Sequence, residues 1–295
     1  GLHNGSLVPL SSVWSYGLTQ PLPFVEPRPV VAPCVCLPLL NLEVQAGYVR
    51  DAGLDVFIAP QFNMEMTPNG ADGLFREHDD AWWAEWLKAA ERLWMWNAVA
   101  AAGVDAELLM LPGYVFHVFA GPGAFESDES FEAFDQALID LMGRVREVYD
   151  GKVLVSGGVL EMELPGMADL VGVTTFDTGR PELASGAIAA EWRDAYDALF
   201  AERVDPIWER WGKPVFFYTI NTQAISDDPL VTPEEAQATE LEGIFQALAS
   251  RPWIAGSMSW AYHMTDALLD DQDGVRNRLA EAVLAKYYGA YTGQR

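Results

Sequence analysis

Short apolar runs alternate with amphipathic stretches along most of this chain. The segments 54-LDVFIAPQF-62, 106-AELLMLPG-113, 152-KVLVSGG-158, 169-DLVGVTTFD-177, 213-KPVFFYTI-220 and 254-IAGSMSWAY-262 each read as a buried strand. An earlier run, 7-LVPLSSVWSY-16, reads the same way. Helical periodicity is expected over 41–53, 81–103, 128–151, 187–212, 232–251 and roughly 274–288. In 81–103 the apolar positions Trp82, Trp83, Trp86, Leu93 and Val99 recur at helical spacing. Punctuation supports the boundaries. Asn41 can cap one helix and Gly53 end it, and Gly103 can stop the next. Thr232, Pro233 and Glu235 form the start signal of a capping box.

Strand–helix alternation of this kind specifies βα units around a parallel sheet. The fold class expected is α/β, a (β/α)8 TIM barrel. About seven strands are visible where a closed barrel needs eight. The first βα unit is therefore expected to lie before residue 1, with 1–295 a single barrel domain belonging to a longer protein. The connection 21-PLPFVEPRPVVAPCVCLPLL-40 is too rich in proline for a helix interior. No internal repeat, low-complexity tract or linker interrupts the pattern.

Charge narrows the partners. The chain has 43 acidic against 18 basic residues, a formal charge of −25. Phosphate backbones would be repelled, which argues against nucleic acid and against anionic membrane surfaces. A neutral ligand such as a sugar is not penalised. No apolar run is long enough for membrane insertion. An acidic surface poor in lysine fits an extracellular or cell-surface setting. Cys34 and Cys36, the only cysteines, are too close for an unstrained disulfide and read as thiols. No metal or other cofactor is expected: 271-DQDG-274 lacks the full ligand spacing of a calcium loop. No phosphate-binding glycine motif or nucleophile elbow is present.

In such barrels the strand C-termini carry the site. Here they offer Trp14 and Tyr16; Gln61, Asn63 and Glu65; Tyr114 and His117; Glu161 and Glu163; Thr175 and Asp177; Thr219, Asn221 and Gln223; and Trp260, Tyr262 and His263. Aromatic rings stack on the apolar faces of sugars, and amides and hydroxyls pair with sugar hydroxyls. Glycoside hydrolysis needs two carboxyl groups, about 5–5.5 Å apart for retention and about 6.5–9.5 Å for inversion. The carboxylates at hand are Asp177, Glu161, Glu163 and Glu65, with Asp177 directly after an apolar run. Glu161 and Glu163 would share a face if their segment were extended.

The segments 45-QAGYVRDAGLDVFIAPQF-62, 82-WWAEWLKAAERL-93, 145-VREVYDGKVLVSGG-158, 169-DLVGVTTFD-177, 211-WGKPVFFYT-219 and 252-PWIAGSMSWAY-262 carry a resemblance in their order and spacing. The chain resembles (β/α)8 glycoside hydrolases with two catalytic glutamates, especially their β-mannanase-like branch. It also resembles related glycoside-hydrolase-like barrels of bacterial surface proteins. The resemblance implies a glycan, oligo- or polysaccharide, as partner. It also implies an acid/base Glu near the end of the fourth strand and a nucleophile Glu at the end of the seventh. This sequence has Pro112, Gly113 and Tyr114 at the first place and Thr219 at the second. Two functions follow as expectations. One is hydrolysis with a relocated pair, Asp177 with Glu161 or Glu65. The other is a non-catalytic glycan-binding or architectural module, in contact with other domains of the same polypeptide.

Overall fold

A computed structural model describes residues 36–51, 53, 55–59, 79–111, 122–156, 160–259 and 274–292. The expected strand at 7–16 lies outside them. The chain divides into two compact units, Gly1–Val171 and Gly172–Arg295.

In the first unit, α1 (Cys36–Asp51), β1 (Phe57–Ile58), α2 (Asp80–Gly103), β2 (Leu108–Met110), α3 (Asp128–Val148) and β3 (Lys152–Ser156) follow in order. β1 pairs in parallel with β2, and β2 with β3, in the registers Ile58 to Leu109 and Leu109 to Val153. Asp169 N donates to Val153 O at 2.9 Å and so brings the start of β4 (Leu170–Thr174) beside β3. α2 begins where Asp79 accepts from Trp82 N at 2.7 Å and runs to the expected Gly103. α1 differs from expectation. It starts at Cys36, so Asn41 lies inside the helix and does not cap it. Pro38 does not prevent this, because an amide in the first turn has no helical acceptor to lose. Gly53 closes the helix as expected, its N–H on Arg50 O and its φ at +73°.

The core of this unit is aromatic. Trp83 stacks on Phe125 at 4.4 Å between ring centroids and meets Phe134 edge-on at 4.9 Å. Trp83, Trp86, Phe131 and Phe134 are all buried. Each such ring contributes about 1.5–3 kcal/mol by leaving water.

The second unit takes up the rest of β4 and continues with α4 (Thr175–Thr178), α5 (Ala189–Arg203), α6 (Asp205–Trp211), β5 (Val215–Ile220), α7 (Pro233–Ala249), β6 (Ile254–Ser259) and α8 (Leu279–Thr292). Strand neighbours follow sequence order here too, and β5 and β6 are parallel. Two expectations change. The strand foreseen to 177 stops at Thr174, and Thr175–Thr178 makes one helical turn. Gly179, at φ +83° with its N–H on Thr175 O, closes that turn. The single helix foreseen over 187–212 is two helices broken at Val204. Pro206 explains the break, since its ring clashes with the carbonyl four residues back and it has no N–H to donate. The capping box at α7 is present: Glu235 N donates to Thr232 Oγ1, and Thr232 N to Glu235 Oε2 at 2.8 Å. Tyr196 and Phe200 on α5 are buried, and Phe200 lies 5.2 Å from Phe217 of β5 between centroids.

Candidate functional site

The C-terminal ends of β4 and β5 are tied together by side chains. Asn221 N, just past β5, donates to Thr175 Oγ1 at 2.9 Å. Thr222 O accepts from Gln237 Nε2 of α7 at 3.1 Å, and the same nitrogen reaches Gly274 O at 3.3 Å. These bonds fix the chain as it leaves β5. Thr175, Thr219 and Thr222 are buried. Among the described residues the buried Asn221 Oδ1 atom has no hydrogen-bond partner. A buried acceptor left unpaired costs about 1–3 kcal/mol.

Thr219 stands where the family resemblance places a nucleophile. It is buried within β5, and its hydroxyl donates to Tyr218 O at 2.8 Å. A threonine hydroxyl held this way carries no negative charge at neutral pH.

The expected carboxylates fall as follows. Asp177 lies in the helical turn directly after β4, two residues beyond the Thr175 that holds Asn221. Glu161 and Glu163 are exposed, with Met162 buried between them. Their segment is not extended, so the condition for a shared strand face is not met. It turns at 160–161 and enters a short 3-10 helix, Leu164–Met167. The cause is Asp135 of α3, whose carboxylate accepts from Glu163 N at 2.7 Å and Leu164 N at 3.2 Å. Burial pushes the Asp135 carboxyl above its usual range, against the pull of those two amides. Glu65 lies outside the described residues, as do Trp14, Tyr16, Gln61, Asn63, Tyr114, His117, Trp260, Tyr262 and His263. Among the described residues no three His, Cys, Asp or Glu side chains gather as metal ligands. No described helix is long and apolar enough to cross a membrane.

One polar group had no sequence signal. Glu240 of α7 is buried and receives both Nε and Nη2 of Arg180 at 2.7 Å, and Tyr196 Oη at 2.7 Å. Burial, reinforced by the Glu240 charge, pushes the Tyr196 phenol far up. Arg180 also lies over the Trp192 ring at 5.3 Å. The group anchors the loop that follows Gly179 onto α7. Its members are 60 and 44 residues apart in sequence, so no local pattern announces it.

No protein-family model and no curated protein matches the chain, but solved structures do. The GH113 β-mannanase AaManA from Alicyclobacillus acidocaldarius, in complex with ManMIm, is similar over 85% of this chain and 78% of its own, at 19% identity and TM-score 0.61. PbGH5A, a glycoside hydrolase family 5 enzyme from Prevotella bryantii, is similar over 86% and 76%, at 14% identity and TM-score 0.58. The Bifidobacterium dentium β-glucuronidase is similar over 84% of this chain and 39% of its own, at 13% identity and TM-score 0.55. These likenesses define a fold: the chain is TIM-barrel-like, as these solved glycoside hydrolases are. The likeness includes β-mannanases of GH113 and an enzyme of family 5.

Proposed function

We propose that this chain is a single barrel domain over 1–295 that binds an oligo- or polysaccharide at the C-terminal ends of its strands, as a non-catalytic module of an extracellular or surface protein. The observation that carries this reading is the end of β5. Thr219 is buried with its hydroxyl on the carbonyl of Tyr218, and Asn221 holds a buried acceptor without a partner among the described residues. That arrangement supplies a hydrogen-bonding group and no nucleophile. The acidic, lysine-poor composition supports the setting, and the β-mannanase likeness makes β-1,4-linked manno-oligosaccharides the first ligands to try.

The test is titration calorimetry against an oligosaccharide panel beside a reducing-sugar assay on the same samples. Binding without release of reducing ends is expected, and Asn221→Ala should weaken it about ten-fold. Absence of binding to every oligosaccharide would overturn the reading.

One observation favours hydrolysis instead: Asp177 follows β4 directly, beside the Thr175–Asn221 contact. On that reading wild type releases reducing ends, and Asp177→Asn lowers turnover by orders of magnitude. Full activity in that variant removes Asp177 from the chemistry.

A further inference from the structure

At the other end of β5 lies a stacked pair of tryptophans. Trp208 is on α6, and Trp253 immediately precedes β6. Their ring centroids are 5.6 Å apart and their planes 7° from parallel. Trp208 is 39% exposed, so the pair is not core. Isolated exposed apolar side chains are ordinary. This pair differs because the backbone under both rings is fixed.

Gly212, in the left-handed conformation at φ +63°, donates to Trp208 O and turns the chain toward β5. Three residues later Val215 N donates to Trp253 O at 3.1 Å. Arg251, buried two residues before Trp253, donates to Asp205 Oδ1 at 2.7 Å and Asp197 Oδ1 at 2.6 Å. Asp205 opens the helix that carries Trp208. An aromatic surface held this rigidly loses little freedom when a ligand settles on it.

We infer that Trp208 and Trp253 form a stacking platform for the sugar rings of a polysaccharide, a second glycan contact away from the strand C-termini. An indole offers a flat, weakly negative face that suits the C–H face of a pyranose. Exposed neighbours Glu209 and Arg210 have opposite signs, and Pro214 and Pro252 are exposed and apolar, so the surround favours no net ligand charge. Two indoles and two prolines fall far short of the roughly 800 Å² per partner that a stable protein interface buries. They match one or two sugar units. A second copy is further disfavoured by the −25 charge on each chain. The six residues of β5 separate this platform from Asn221 by about 20 Å. The inference shares only its ligand class with the reading of the strand ends.

The test is electrophoresis of the whole chain through gels containing galactomannan, xylan or mixed-linkage β-glucan. At least one polymer should retard wild type, and Trp208→Ala should weaken that retardation about five-fold or more. Oligosaccharide binding that depends on Asn221 should be unchanged in Trp208→Ala. In wild type the retarding polymer should slow N-bromosuccinimide oxidation of Trp208, followed by peptide mass spectrometry; this readout needs no variant to fold. Free migration through all three polymers overturns the platform, as does retardation of Trp208→Ala equal to wild type. A dimer seen by light scattering and lost in Trp208→Ala would replace the glycan with a second copy. If Asn221→Ala loses oligosaccharide while Trp208→Ala behaves as wild type, the platform fails and the strand-end site stands.

Discussion

Two carboxylates in this chain brace neighbouring strands through backbone amides. Glu107, one residue before β2, accepts from Val56 N at 2.6 Å, and Asp169, one residue before β4, accepts from Val153 N at 2.8 Å. Both follow a buried alanine, in 106-AEL-108 and 168-ADL-170, so the device repeats. These groups sit at strand beginnings, away from the ends where a barrel does chemistry. Acidic residues are plentiful here, yet abundance alone does not supply a catalytic pair. Gly151 shows how tightly the same region is packed. A Cβ there would lie 2.8 Å from Ala106 O and would overlap the Tyr149 hydroxyl, which donates to that same carbonyl at 2.8 Å. Gly151→Ala should cost about 1–3 kcal/mol in denaturant unfolding, since the buried hydrogen bond must open. An unchanged midpoint would show that Tyr149 moves aside freely.

Helices meet through small residues and buried acids. On α7, Gly243 faces α5 so closely that an added Cβ would lie 2.8 Å from Arg193 N and inside contact with Trp192. Backbone cannot yield as a flexible side-chain tip can. Gly243→Ala should therefore destabilise by about 1–3 kcal/mol despite alanine's better helix propensity. A rise in thermal midpoint would mean the helices separate at no cost. On α3, the Asp135 carboxyl is raised above its usual 3.8 mainly by burial. A carboxyl with a raised value holds its proton more tightly folded than unfolded. Its contribution is most favourable below 3.8 and declines as pH rises through the folded value. Comparing unfolding free energies of wild type and Asp135→Asn between about pH 3 and pH 7 should show the difference moving against wild type, by about 1.4 kcal/mol per unit of elevation. A flat difference would mean that the two amide bonds cancel the burial.

At the scale of the molecule, a charge of −25 opposes compaction. Raising salt from about 10 to about 100 mM shortens the screening length from about 30 to about 10 Å. The thermal midpoint should rise over that range, and a fall would mean that ion pairs such as Arg251 with Asp197 and Asp205 outweigh the repulsion.

The sequence by itself determined the alternation of β1 to β6 with the longer helices, the Thr232 capping box, the stop at Gly53 and the end of α2 at Gly103, but not the turn α4 or the division of α5 from α6. Those features are local: hydrophobic period, cap chemistry and backbone freedom act over a few residues. It also showed that no carboxylate stands at Thr219. Period alone could not show that β4 ends at Thr174, because a strand and a helical turn read alike over four residues and the Thr175–Asn221 bond comes from 46 residues away. Only the tertiary structure bent 160–167 around Asp135, buried Glu240 under Arg180 and Tyr196, and set Trp208 on Trp253. Each of those depends on side chains far apart in the chain, and their meeting is decided by packing.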